Sequence, residues 1–298
     1  MDSSADLAIC VACGTQFDVP LSSPPKSCRI CDDPRQFVPP TGQSWTSLHT
    51  LRSSKETHTN KIHPDSTNAS VHSISTSPKV GIGQRCILLE TPHGNVLWDC
   101  ITYLDDATVD FIRSKGGLKA IVISHPHYYS THLVWAEVFG CSVYLAAEDE
   151  EWLCREDVGG RRRFLGEESV REEIVPGVVA VKVGGHFPGS LVLGWEGRLF
   201  IADSFVTAPS AYYHIDRPPG TTSYAFMWSI PNMIPLPPSE LLKMWKALEG
   251  VEFESTYGAF VSTEVRDKGL KGRVLESMKI QTRAMGHEKH EILEQSWP

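Results

Sequence analysis

Three stretches of this chain each read as a β-strand that ends on metal-ligand side chains, and any fold it adopts must account for all three. Ile121-Val122-Ile123-Ser124 runs into His125-Pro126-His127, Val181-Lys182-Val183-Gly184-Gly185 runs into His186, and Leu199-Phe200-Ile201-Ala202 runs into Asp203. Strand ends on one rim of a sheet can bring distant residues together. A His-x-His pair just past a strand places both imidazoles on one side of an extended turn, because side chains alternate, and Pro126 restricts the backbone between them. The two glycines before His186 permit tight turning beside a site. A carboxylate directly after an apolar strand needs a partner, and a metal is a natural one. Three imidazoles with an open position are the usual way to hold a catalytic zinc. The pattern points to a metal-dependent hydrolase in which His125, His127, His186 and Asp203 are the metal-site residues.

The cysteines divide into two groups. Cys10-x-x-Cys13 and Cys28-x-x-Cys31 are two knuckles separated by a Pro/Ser-rich loop, whereas Cys86, Cys100, Cys141 and Cys154 are scattered in apolar surroundings like ordinary buried thiols. Two close CxxC pairs read as a tetrahedral four-cysteine zinc site. The alternative, disulfides or redox pairs, lacks both a secretory signal and a βαβ context. Such a ribbon staples a segment too small to fold alone.

Length and charge bound the rest. A chain of 298 residues, 41% hydrophobic, can bury one large core or two smaller ones. Its acidic start lacks the basic and apolar regions of a signal peptide, and no apolar run approaches the ~20 residues that span a bilayer. A soluble, cytoplasmic protein with no membrane partner is expected. The net charge of −8 argues against nucleic acid, so the expected partner is a small-molecule substrate, with the oligomeric state open. Arg161-Arg162-Arg163 sits between acidic stretches and reads as a solvated loop.

Along the chain, residues 1–45 are the ribbon. Residues 46–79, rich in Ser, Thr and His, read as a linker giving way to an edge strand near Val71-His72-Ser73-Ile74. An α/β rhythm then fills 80–298. A hairpin is expected at 86–99, helices from about Asp105 to Gly116-Gly117 and over 130–139, and strands over 118–124, 142–146, 178–183, 190–195 and 198–202. Residues 204–238 look loop-like. A helix over 239–249, capped by Ser239, a short strand to Tyr257-Gly258 and a final helix close the chain. The overall class is α+β, with two sheets between helices.

Over residues 80–298 the chain resembles the metallo-β-lactamase superfamily. That family's first motif is His-x-His-x-Asp-His, and here His125-Pro126-His127-Tyr128-Tyr129-Ser130 keeps the first two histidines. Tyr129 stands at the aspartate position and Ser130 at the next histidine. His186, in Gly185-His186-Phe187-Pro188-Gly189-Ser190, and Asp203 match two further ligands. The family's last histidine should lie near Tyr257-Gly258-Ala259-Phe260, where there is none. The resemblance implies an αββα metallo-β-lactamase-type sandwich with 80–298 as the catalytic domain. More narrowly, Cys10 to Phe17, Gly94 to Cys100, and the Ser229-Ile230-Pro231-Asn232 and Ile234-Pro235-Leu236-Pro237 stretches resemble a subgroup carrying an N-terminal zinc ribbon. A fungal lactamase that opens benzoxazolinone rings is similar.

The departures imply one zinc in the active site, held by His125, His127 and His186, besides the structural zinc of Cys10, Cys13, Cys28 and Cys31. A second active-site zinc would keep Asp203 alone, unless His132, close to Tyr129 on a helical face, supplies a ligand. An equally good reading makes His132 a polar residue in a first helical turn. The expected reaction is hydrolysis of a small cyclic amide, ester or carbamate by metal-activated hydroxide, with Asp203 as catalytic base. Tyr129 either stabilises the oxyanion or fills the position a second metal would take, and Tyr257 is a candidate of the same kind. Asp99 is a candidate to hydrogen-bond a ligand histidine. Tyr212, Tyr213, His214, Tyr224, Phe226, Met227 and Trp228 form an aromatic segment interrupted by Pro218-Pro219, with Tyr224, Met227, Trp228 and Tyr257 as substrate-binding candidates. Two rival functions stay open: a thioester or phosphoester hydrolase with two active-site metals, and a non-catalytic metal-binding protein whose ribbon contacts a partner.

Overall fold

In the computed structural model, which describes residues 4–213, 218 and 220–298, a small sheet gathers the N-terminal cysteines. Strand β1 (Leu7–Cys10) pairs antiparallel with β2 (Gln16–Pro20) and, on its other side, with β3 (Trp45–Thr46). The first knuckle turns at Gly14, whose φ is +81° and where a Cβ would stand 2.1 Å from Thr102 Oγ1. Only glycine meets both demands.

The ribbon belongs to the first of two compact units, Met1–Leu165; the second is Gly166–Pro298. After α1 (Leu48–Ser53), capped by Ser47, the first unit continues through β4 (Thr59–Pro64), β5 (Val71–Ser77), β6 (Cys86–Leu89) and β7 (Val96–Trp98). Next come α2 (Asp106–Ser114), β8 (Ala120–Val122), α3 (His132–Phe139), β9 (Ser142–Ala146) and β10 (Arg162–Leu165). Among the described residues these strands make a seven-stranded sheet in the order β10-β9-β8-β7-β6-β5-β4. It is parallel from β10 to β7 and antiparallel beyond. Strand β8, flanked on both sides, is apolar and buried at each of its residues, as a central parallel strand should be. The helix expected from Asp105 begins there because Asp105 Oδ1 accepts the Thr108 N–H at 2.9 Å. Helix α3 stops at Gly140, with φ of +65°.

Two readings of this unit need correction. The Ser/Thr/His-rich stretch is not a linker ending in an edge strand: β4 is the edge and β5 lies inside it. The Arg161-Arg162-Arg163 cluster is not a solvated loop, since Arg162 opens β10 and is 9% exposed.

In the second unit β11 (Arg171–Val175), β12 (Val178–Lys182), β13 (Leu191–Trp195) and β14 (Arg198–Phe200) form a meander. Residues 204–238 are less loop-like than expected. They carry β15 (Val206–Thr207) paired with β16 (Tyr224–Ala225), and β17 (Met227–Ser229) paired with β18 (Ile234–Pro235). Helix α4 (Pro238–Ala247) starts one residue earlier than expected, behind Pro237, so Ser239 lies inside its first turn rather than capping it. Strand β19 (Ser255–Tyr257) then runs parallel beside β14, β20 (Glu264–Arg266) pairs with it, and α5 (Leu270–Ala284) follows. Val181, Leu199, Ile201, Phe205, Tyr224 and Phe226 join Leu241, Met244, Val274 and Met278 of the helices in one buried cluster.

Candidate metal centres

The four ribbon cysteines are buried, and their sulfurs lie within 4.8 Å of one another. Cys10 Sγ is 3.7 Å from Cys31 Sγ, and Cys13 Sγ is 3.6 Å from Cys28 Sγ. These separations are far too long for disulfides. They are the edges of a tetrahedron whose centre lies about 2.3 Å from each corner, the Zn–S bond length. Gln43 Nε2 donates to Cys10 Sγ at 3.2 Å, a contact suited to a thiolate. The donor set fits a structural zinc.

In the first unit, His125 and His127 follow β8 at 2% and 1% exposure, their ring centroids 5.0 Å apart. The turn that presents them is anchored from β7: Asp99 Oδ1 accepts the Ser124 N–H at 2.7 Å. Asp99 thus fixes the backbone one residue ahead of His125, while Ser124 Oγ pairs with His125 Nδ1 at 2.9 Å. Asp99 adopts φ of +59° to do so, a conformation that costs free energy outside glycine.

In the second unit, His186 is fully buried and its Nε2 lies 3.8 Å from Asp203 Oδ2. That is too far for a hydrogen bond and slightly wider than the roughly 3.4 Å between two ligands of one tetrahedral zinc. Ser204 Oγ holds the turn, accepting the His186 N–H at 3.3 Å and donating to Gly184 O at 2.6 Å. Gly185 has φ of +87°, and a Cβ there would stand 2.8 Å from Leu236 Cδ1. The glycine before His186 is therefore required by packing as well as by backbone conformation. The described residues thus carry a four-cysteine cluster and four buried His/Asp donors able to bind metal.

Other sequence candidates are placed differently. His132 is not available as a ligand. Its Nδ1–H donates to Tyr129 O at 2.8 Å, and its Nε2 accepts from Arg162 Nε at 3.0 Å. Burial and the Arg162 charge push its pKa down to about 3, so it is a neutral imidazole with both nitrogens engaged. Tyr129 does not offer its hydroxyl to an oxyanion, since that hydroxyl donates to Asp149 O at 3.1 Å. Its phenol is pushed up by burial. Tyr224 is a core residue whose hydroxyl pairs with Thr256 Oγ1 at 2.7 Å, and Phe226 is in the same core. Met227 is half-buried, Trp228 packs on that core, and Tyr212 and Tyr213 are exposed. Tyr257 is 1% exposed at the end of β19. His214 and Pro219 lie outside the described residues.

Sequence reasoning missed the ties between ribbon and metal loop. The Gln16 N–H donates to Ser130 O at 3.1 Å, and Thr102 Oγ1 donates to Gly14 O at 3.0 Å. Arg155 bridges Asp18 and the Gln16 side chain, and Arg35 lies over the Trp152 ring at 5.1 Å. Burial works against the charge of Asp33. Hydrogen bonds donated by the Arg35 side chain and backbone, with the Arg35 charge, outweigh that and hold the carboxyl below its usual range. The only sequence signal was the closeness of Asp33 and Arg35 to the second knuckle.

No family model matches the chain. A protein of Bacillus subtilis (strain 168), the uncharacterized protein YmaE, is 37% identical over 258 residues, which cover 85% of this chain and 88% of the relative. This chain belongs to the YmaE family. Solved structures show the fold of this YmaE-family chain to be that of the metallo-β-lactamases, in agreement with the expected α+β class. The metallo-β-lactamase FIM-1 of Pseudomonas aeruginosa, solved in a mono-zinc form, has a TM-score of 0.51 at 12% identity, covering 76% of this chain and 96% of its own. TMB-1, in a study of substrate and inhibitor binding, also has a TM-score of 0.51, at 16% identity over 74% and 98% of the two chains. Among the described residues no helix is long and apolar enough to cross a membrane.

Proposed function

We propose that this YmaE-family chain is a zinc-dependent hydrolase, and that His125, His127 and His186, with Asp203 beside them, form its active-site metal centre. The observation that carries the reading is the pair of buried half-sites on a metallo-β-lactamase-type fold, each built from metal-ligand side chains just past a strand. A zinc held by three neutral imidazoles lowers the pKa of a bound water to ~7 and so supplies a nucleophile at neutral pH.

The protein's own groups do the rest. Asp99 and Ser124 hold the His125 turn, and Ser204 and Gly185 hold that of His186. Asp203 accepts the proton of the attacking water and returns it to the leaving group. One active-site zinc is the supported count, because Tyr129 and Ser130 stand where the resembled family has Asp and His. His132, the possible substitute, is consumed by Arg162 and Tyr129 O. That favours a cyclic amide, ester or carbamate as substrate over the two-metal thioester or phosphoester alternative.

The ties between ribbon and metal loop oppose the reading of the ribbon as a free partner-binding module. Its proposed role is to brace the His125–His127 loop. The test is a panel of lactams, lactones and cyclic carbamates, including benzoxazolinone, with zinc-loaded protein. Turnover of one class, lost in His186→Ala, is expected; no turnover of any class by the wild type would end the reading.

A further inference from the structure

Tyr257 has a hydroxyl that packing alone does not explain. The residue is 1% exposed, and its hydroxyl has no hydrogen-bond partner among the described residues. Two other buried tyrosines follow the usual rule that buried polar groups are paired. Tyr129 donates to Asp149 O, and Tyr224 pairs with Thr256 Oγ1. The Tyr257 ring is well held: it stacks on Phe200 at 4.9 Å and 24°, and the Arg266 guanidinium lies 5.5 Å from its centroid. Phenylalanine would make the same contacts. The hydroxyl is the one part of the side chain that the described residues leave unanswered.

Its place in the fold says what could answer it. Strand β19 lies parallel to β14 with Tyr257 opposite Phe200, and the Ile201 N–H donates to Tyr257 O at 2.9 Å. Parallel strands leave a sheet at the same end, so Tyr257 ends β19 on the rim where β14 continues into Asp203. The segments that follow stay together, because Thr207 Oγ1 donates to Thr263 O at 3.3 Å. A fixed, buried phenol on the rim that carries Asp203 and His186 is placed to donate to an oxygen of a bound ligand.

The geometry points to Tyr257 as a catalytic residue that hydrogen-bonds the carbonyl oxygen of the scissile amide, ester or carbamate. This rests on the hydrolase reading above. As the water oxygen bonds to the carbonyl carbon, the π pair moves onto the carbonyl oxygen, where the Tyr257 O–H meets the growing charge. The water proton goes to Asp203. The pair then re-forms the carbonyl, the C–N or C–O bond breaks, and the proton passes from Asp203 to the leaving nitrogen or oxygen. Tyr257 neither gains nor loses a proton.

Tyr257→Phe tests this with several readouts. The metal-free variant should melt no lower than the wild type, since no protein partner is lost. The zinc content should be unchanged. On the best substrate of the panel, kcat should fall about 100-fold, with KM moving far less. Binding of acetohydroxamate, whose carbonyl oxygen stands in for the substrate's, should weaken about tenfold in calorimetry on zinc-loaded protein. An unchanged kcat, or a metal-free variant clearly less stable than the wild type, overturns the inference. If the wild type hydrolyses nothing, the hydrolase reading fails by itself. The acetohydroxamate comparison then decides for Tyr257, and equal affinities overturn its role.

Discussion

The Gln16 N–H of the four-cysteine ribbon donates to the carbonyl of Ser130, three residues beyond His127. Ser130 adopts φ of +44° there, and its hydroxyl accepts from Gln84 Nε2 at 3.1 Å. A non-glycine residue in that conformation persists only where its surroundings over-determine it. The ribbon is one of those surroundings.

Loss of a zinc held by the four cysteines should therefore be felt at the His125–His127 loop. Cys28→Ser removes one corner of the tetrahedron of thiolates and should release about one zinc per chain, since a structural zinc site rarely survives loss of a thiolate. Melting temperature should fall. Hydrolysis with the active site still metal-loaded should fall about tenfold or more. Zinc analysis, a thermal scan and a rate measurement check this; full activity with the ribbon zinc gone would mean that the ribbon is merely appended.

His132 predicts a specific pH dependence of stability. Its folded pKa of about 3 lies below the ordinary 6.5, so between those values the unfolded chain binds a proton that the folded chain does not. Stability from this group is fully present above about pH 6.5 and is lost as pH falls toward 3, by up to about 1.4 kcal/mol per pH unit. His132→Gln keeps an acceptor for Arg162 and should flatten the stability curve in that window without changing the zinc content. A variant that loses zinc would restore His132 as a ligand. Denaturant unfolding at several pH values, with metal analysis, gives both answers.

Gly185→Ala should be costly for a small change. The new methyl meets Leu236 Cδ1 at 2.8 Å on a backbone with φ of +87°. A loss of about 2 kcal/mol or more is expected from left-handed strain and overpacking together, with weaker zinc binding because His186 is next in the chain. Urea unfolding of the metal-free variant measures the first effect separately. A loss below about 0.5 kcal/mol would show that the turn tolerates a side chain.

The candidate metal donors were legible because metal chemistry is selective about residue type and spacing: two CxxC knuckles, and His-x-His joined by His186 and Asp203 after apolar strands, have few other uses. What escaped the sequence was whatever depends on partners distant in the chain. Strand β4 has little apolar patterning. It is tied down by Asn60, whose N–H donates to Asp105 Oδ2 and whose side chain bonds Tyr103 O and Thr76 Oγ1. Arg162 looked solvated because charge predicts exposure, yet inside the unit its Nε donates to His132 Nε2 and its Nη1 to Arg155 O. Tyr224 looked like a pocket residue because nothing nearby in the chain announces its partner, Thr256.

The most direct test of the central claim is a zinc count on purified wild-type and His186→Ala protein after removal of loosely bound metal. About two zinc ions per chain in the wild type and about one in the variant, with hydrolysis abolished, is the predicted result. A variant that keeps the wild-type zinc content would contradict it, because His186 would then not be holding the active-site ion.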